Sequence, residues 1–193
     1  MPMSRLLRES VEAAILALMV LVIFLFSVQN FRVEGSSMQP TLEEGQYLFV
    51  NKLVYLRVDL RRLSELIPFW NVSEPKGIFL FHPPRRGDVV VFRSPLNTKR
   101  DFVKRVIALP GEQIEIREGQ VYINGVPLEE AYLKDIDAIR PRGRQNLSER
   151  EYFVMGDNRP GSNDSRAWGP VPLENVVGKV WCVFWPISKM TCL

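Results

Sequence analysis

Apolar residues run without interruption from Ala13 to Val28 ("AAILALMVLVIFLFSV"), sixteen residues with no charge. Counted from Val11 to Phe31 the segment has twenty-one residues, enough for a helix to cross about 30 Å of hydrocarbon. A cleavable signal peptide is the competing reading, because Arg5 and Arg8 precede the run and "GSS" follows it. The run is long for that, and no A-x-A follows, so a retained anchor over 11–31 is the expectation. Arg5 and Arg8 stand before it, against Arg32, Glu34, Glu43 and Glu44 after it. That asymmetry puts residues 1–10 in the cytoplasm and residues 32–193 outside the cell membrane, with one pass between them.

Beyond the anchor the pattern changes to short runs rich in Val, Ile, Phe and Tyr between turn residues: 47–55, 88–92, 101–109, 113–116, 120–123, 151–155 and 176–185. This predicts a mainly β fold, an all-β domain following one transmembrane helix. Glu118-Gly119 and Asn124-Gly125 mark hairpin turns, since glycine adopts positive φ without strain. Two stretches depart from the pattern. Residues 53–84 carry mixed apolar and basic positions and "PFW"; they read either as an amphipathic helix on the membrane surface with Trp70 at the interface, or as a loop on the β core. Residues 134–150 are polar and basic and read as a surface excursion.

The 193 residues are 46% hydrophobic and 24% charged, suited to one globular domain plus an extra segment. The net charge of +3 comes from bases scattered among nearly as many acids, which leaves no nucleic-acid footprint. Cys182 and Cys192 permit one disulfide at most and match no metal spacing; two unpaired thiols are the expectation.

Candidate chemistry is sparse. "FRVEGSSMQPTLEEG" (31–45) holds two adjacent serines, Ser36 and Ser37, in a chain with one histidine, His82, which lies in the Pro-rich turn "FHPPRRG". A serine without histidine needs another base, and a lysine made neutral by burial is a known substitute. Its pKa must fall by roughly three units to serve near neutrality, about 4 kcal/mol of desolvation. Of seven lysines, Lys104 and Lys179 lie inside apolar strands. Alternation puts Phe102, Lys104, Val106 and Ala108 on one face and Val103, Arg105 and Ile107 on the other. Arginine cannot deprotonate, so Lys104 is the candidate base of that strand; the competing reading is that Lys104 and Lys179 extend to water from strand edges. The loop "MGDNRPGSNDSRAWG" (155–169) is open to three readings: a calcium loop, for which the D-x-[DN]-x-[DN]-G spacing is absent, plain turn chemistry, or a catalytic loop.

Taken in order, the anchor, "GSSMQPTL", "RGDVVVF", "DFVKRVIALPGE" and the 155–169 loop resemble the type I signal peptidases, membrane-bound serine proteases that remove signal peptides. The likeness runs from residue 10 to about residue 186. It implies an all-β catalytic domain of the signal peptidase type, Ser37 as nucleophile, from the S-M-x-P motif, and Lys104 as general base. It also implies Ser162 as the hydroxyl that orients the lysine, and Asp157 and Asp164 paired with Arg105 and Arg166. Gly35 stands where some members place an oxyanion-hole hydroxyl, so a backbone-only hole, or a water in that place, is expected. Substrates would be preproteins bound as an added strand, with Met38 and the Asp101, Phe102 and Val103 edge forming shallow pockets for small, A-x-A-like residues. The implied protein is a monomer at the lipid bilayer, with no metal, cofactor or nucleic acid. Pro160 and Gly161 depart from the usual G-D-N-R-D/N-N-S. A self-cleaving Ser-Lys protease would carry a soluble DNA-binding half in place of the anchor, and a tethered module binding peptides by strand addition would not cut them.

Overall fold

The computed structural model describes residues 3–59, 77–133 and 141–193. An N-terminal helix, α1 (Met3–Ser27), carries the apolar run, and its Leu7–Ser27 portion is long and apolar enough to cross a membrane. The helix stops at Ser27, short of the expected Phe31. Residues Val28–Arg32 instead form strand β1, paired antiparallel with β2 (Tyr47–Asn51). The polar residues Gln29 and Asn30 end the apolar run, and their backbone groups find partners in the sheet.

The main sheet takes β1, β2, β13 (Val176–Trp185), β5 (Val89–Arg93), β6 (Asp101–Ala108), β11 (Glu151–Met155) and β12 (Val171–Pro172) in that order, with β14 (Thr191–Cys192) on the far half of β13. A second sheet joins β10 (Arg142–Asn146), β7 (Gln113–Arg117), β8 (Gln120–Ile123) and β9 (Val126–Pro127). The turns at Glu118-Gly119 and Asn124-Gly125 have positive φ at both residues, as the hairpin reading required. β3 (Arg57–Asp59) and β4 (Gly77–Phe79) pair as a two-stranded ribbon.

Apolar strands in the middle of the sheet are covered on both faces. Val89 and Val91 of β5 pack with Val33, Met38, Leu42, Leu48 and Val180 beneath the serine-bearing loop. Val90 and Phe92 pack on the other side with Tyr55, Val106, Tyr152 and Val154. Double coverage explains why β5 reads as a continuous Val run instead of an alternation. The small sheet is stapled to β6 and β11 by a third cluster of Ile114, Ile116, Val121, Phe153 and Met155.

Two expectations are corrected here, the alternation along β6 and the free thiols. Strict alternation along β6 fails at Ile107, because the pairing with β11 slips between Phe153 and Val154 and a bulge puts both Ile107 and Ala108 into the third cluster. Residues 142–146, within the expected surface excursion, form an edge strand on β7 with no buried residue; the neighbouring 134–140 lie outside the described residues. The described ends of the 53–84 stretch are a 3-10 turn at Leu53–Tyr55 and the β3–β4 ribbon, while Trp70 and the rest of 60–76 lie outside the described residues. Cys182 and Cys192, expected as free thiols, are disulfide-bonded, since the β13–β14 pairing sets them directly opposite each other.

Candidate active site

The chain leaves β1 at Arg32 and returns to β2 at Tyr47, so residues 33–46 form a loop closed at its neck by Val33 N–H donating to Gln46 O (2.8 Å) and Gly45 N–H to Val33 O (2.9 Å). Met38 and Leu42 are the buried pegs of this loop. Between them the backbone turns, with Gln39 N–H donating to Ser36 O (3.1 Å) and Leu42 N–H to Met38 O (2.9 Å). Residues 36–42 therefore follow a turn and do not extend. The turn still separates the two serines: Ser36 is exposed, and Ser37 is half-buried and faces inward.

Lys104, on β6, reaches Ser37. Its Nζ lies 2.6 Å from Ser37 Oγ and 2.9 Å from its neighbour's carbonyl, Val103 O, and the residue is only 3% exposed. Burial pulls its pKa down to about 8, while the charges of Asp164 and Asp157 act weakly the other way. A group with that pKa holds about one molecule in ten in the neutral form at pH 7, which suffices for a base.

The two carboxylates are held by arginines, in the pairs the motif comparison implied. Asp157 takes a bidentate pair from Arg105 (2.9 and 2.7 Å), which also donates to Gly87 O (2.8 Å) and Thr41 Oγ1 (3.2 Å), so the arginine beside the lysine ties the strand to the serine loop. Asp164 accepts from Arg166 (2.8 Å at each oxygen) and from Gly156 N–H (3.0 Å), and it caps the helical turn Ser165–Trp168. Burial opposes the charge on Asp164, but the Arg166 bonds outweigh it and hold the carboxyl below its usual range.

The expected contact between Ser162 and Lys104 is not formed. Ser162 Oγ is buried with no hydrogen-bond partner. It lies near enough to Asp164 to favour the carboxylate but makes no bond of ordinary geometry. Met38 is displaced from its expected role as well: it is core, not groove wall. Lys179 pairs with Asp88 (2.7 Å), and Asp88 also accepts from Tyr55 (2.7 Å), so this lysine is a structural ion on β13. Among the described residues, His82 contacts Pro83 O and the edge of Tyr55, and neither serine.

Several residues act here without having drawn a role from the sequence. Asn158 clasps the serine loop twice, its N–H donating to Ser37 O (3.1 Å) and its side chain to Ser36 O (3.1 Å). Gly156 lets the two loops meet: a Cβ there would lie 2.3 Å from both Ser37 O and Ser162 Oγ. Arg159, 1% exposed, donates to Gly156 O (3.0 Å) and forms an ion pair with Glu130, whose other neighbour is the Tyr132 hydroxyl. Arg105 in turn lies 4.0 Å over the Tyr132 ring. Glycine at a strand-to-loop junction was a visible signal; Glu130, 29 residues from its arginine, carried none.

Ser37 and Lys104 both line a groove of about 880 Å³. Residues 31–37 and 100–104 line it together with Leu48, Val91, Gly161 and Asn163. Asp101, Phe102 and Val103 are among its lining residues, as is Gly35 at φ +79°. β11 pairs with β6 no further than Arg105, so among the described residues the edge of 101–104 on that side has no strand partner. Among the described residues, no cluster of three or more His, Cys, Asp or Glu side chains could hold a metal ion.

Known proteins share sequence with most of this chain. The chain is 33% identical to Probable signal peptidase I-1 of Synechocystis sp. over 95% of its length and 85% of that protein's. It is 36% identical to Signal peptidase I of Bacillus caldolyticus over 86% and 84% of the two chains. A crystal structure of a signal peptidase I from Enterococcus faecalis, 37% identical, covers 51% of this chain and 97% of its own with a TM-score of 0.44. Residues 7–185 match the sequence profile of the family described as "Signal peptidase, peptidase S26"; the chain belongs to that family of serine endopeptidases.

Proposed function

We propose that this protein is a membrane-anchored endopeptidase that removes signal peptides from exported preproteins through a Ser37–Lys104 dyad. The observation that carries the reading is the 2.6 Å approach of a nearly inaccessible lysine amine to a half-buried serine hydroxyl. Neutral Lys104 takes the Ser37 proton as Oγ bonds to the carbonyl carbon of the scissile peptide, and the carbonyl π electrons move to oxygen. The Ser37 N–H supports that oxyanion; Gly35 adds no hydroxyl. Collapse breaks the C–N bond, and the lysine proton goes to the departing amine. Lys104 then deprotonates a water that attacks the ester, which releases the signal peptide and returns Ser37. Nucleophile and base both come from side chains, so the reaction needs neither metal nor cofactor, and one copy of the chain holds the whole site.

The substrate lies in the groove as an added strand on the 101–103 edge, with small side chains, A-x-A-like, before the cut. Ser37 follows the helix end Ser27 by ten residues, a reach of at most about 35 Å, which keeps the dyad near the bilayer from which signal peptides emerge. Exposed Trp181, Trp185, Ile187 and Met190 on β13 and the turn after it stand two strands from the anchor and suit contact with lipid. The N-terminus is cytoplasmic and the β domain extracytoplasmic. The test uses the full chain in detergent with a purified preprotein: Ser37→Ala and Lys104→Met are expected to abolish cleavage, and Ser36→Ala to keep most of it. Full activity in either of the first two variants sinks the dyad, and binding without cleavage by the unaltered chain points to a peptide-binding module instead.

A further inference from the structure

Gly161 and Asn163 border two cavities. They line the groove that holds Ser37, and they also line a recess of about 550 Å³ shared with Pro160, Arg142 and Arg166. The groove wall from Phe31 to Ser37 runs from the anchor toward the nucleophile, so a signal peptide arriving from the bilayer occupies that wall with the residues before the cut. Gly161 and Asn163 line both the groove that holds Ser37 and the recess, so the residues that follow the cut have a path from one into the other.

The recess carries charge of one sign. Three arginines line it and no carboxylate does. Arg159 is neutralised by Glu130 and Arg166 by Asp164. Arg142 is different: its guanidinium donates to the carbonyls of Ser165 (3.1 Å) and Arg166 and to Gln145 Oε1 (3.0 Å), and it lies 5.6 Å from the Phe153 ring. Among the described residues it has no acidic partner. Neutral acceptors fix its orientation and leave its full charge in place, and Nη2 makes none of these bonds. A half-buried cation so fixed attracts an anion without the entropic cost of ordering a free side chain.

We propose that this recess is the subsite for the first residues of the mature protein, and that Arg142 selects acidic side chains there and disfavours basic ones. The inference rests on the proteolytic reading and deepens it: the groove before Ser37 would choose small residues by shape, and the recess after it would choose by charge.

The test takes the full chain in detergent and three preprotein-derived peptides identical except for Glu, Gln or Lys at the second and third positions after the cut. The expected order of kcat/KM is Glu, then Gln, then Lys, with about a fivefold span from first to last at low salt, the size of a partly exposed ion pair. The span shrinks at about 0.5 M salt as charges are screened. Arg142→Gln brings the three values together whatever its overall rate, and Arg142→Lys keeps the order. Equal kcat/KM for the three peptides in the unaltered protein, or an order that survives Arg142→Gln, overturns the subsite while leaving the protease intact. If Arg142→Gln does not fold, the order and its salt dependence in the unaltered protein still decide. No cleavage of any peptide overturns the proteolytic reading and the subsite with it.

Discussion

Replacing Lys104 by Met is expected to destroy activity and make the folded protein more stable at neutral pH. Burial depresses the lysine pKa from 10.5 to about 8, so below pH 8 the native state holds a charged amine it would rather discharge. The difference corresponds to about 3 kcal/mol. The sign follows from proton counts: between pH 8 and 10.5 the unfolded lysine is protonated and the native one is not, so unfolding takes up a proton and stability rises with pH in that window. Between pH 8 and 9.5 the rise attributable to Lys104 is about 2 kcal/mol. Methionine has a similar unbranched length and nothing to titrate. Its lost bonds to Ser37 and Val103 offset part of the gain but do not vary with pH. The assay is denaturant unfolding of both proteins in the same detergent at pH 7, 8 and 9.5. The variant's advantage should be largest at pH 7 and shrink by about 2 kcal/mol by pH 9.5. Parallel pH curves for the two proteins would refute this, because they would mean Lys104 titrates alike in both states.

The same ionisation sets the activity profile: kcat/KM on a short peptide substrate should rise about tenfold per pH unit below pH 7.5 and level off through about pH 8, and a flat profile from pH 6 to 8 would remove Lys104 as base. Gly156→Ala places a methyl 2.3 Å from Ser37 O, so the serine loop must move; cleavage is expected to fall at least about 100-fold, with roughly 1–3 kcal/mol of stability lost in a melting assay, and near-normal turnover would disprove the close approach. Glu130→Gln strands the Arg159 charge in the core, and denaturant titration should show a loss of about 3 kcal/mol that the double change Glu130→Gln with Arg159→Met largely restores; a loss under 1 kcal/mol, within the range of an exposed pair, would show the pair to be solvated.

Strands with strong local patterns were legible in the sequence. β7, β8, β11 and β13 fall where the Val, Ile and Tyr runs placed them, and both Gly-containing hairpin turns have the expected positive φ. What the pattern missed is held by distant partners. β10 reads "RGRQN", with no apolar side chain, and exists because β7 offers it a ladder. β1 was absorbed into the apolar run, since Val28 and Phe31 suit a strand as well as a helix and only β2 decides between them. The β6 bulge depends on the register of β11, which no window along β6 contains. In the site, residue types were readable and geometry was not: resemblance selected Ser37 over Ser36, but the turn that brings it to Lys104, the clasp by Asn158 and the buried Glu130–Arg159 pair are contacts between segments far apart in the chain.

A buried base beside two carboxylates poses an electrostatic problem, and the arginines answer it. Asp164 and Asp157 each favour the charged lysine, which is the wrong state for catalysis. Their influence stays small beside that of burial, and each is bound two-pronged by a guanidinium, Arg166 and Arg105, so each pair presents close to a dipole where a lone carboxylate would present a full charge. The ion pairs therefore fix the loops and keep the carboxylates from recharging the base. Arg166→Ala separates the two roles. It leaves Asp164 without its cation, so the Lys104 pKa should climb and the activity profile move to higher pH, with the rate at pH 7 falling about tenfold for every pH unit that the profile moves. Raising the pH to about 9.5 should recover much of the rate if the arginine acts on protonation. Activity that stays low at every pH would mean that Arg166 matters only for the shape of the loop, and that it has no hand in keeping Lys104 neutral.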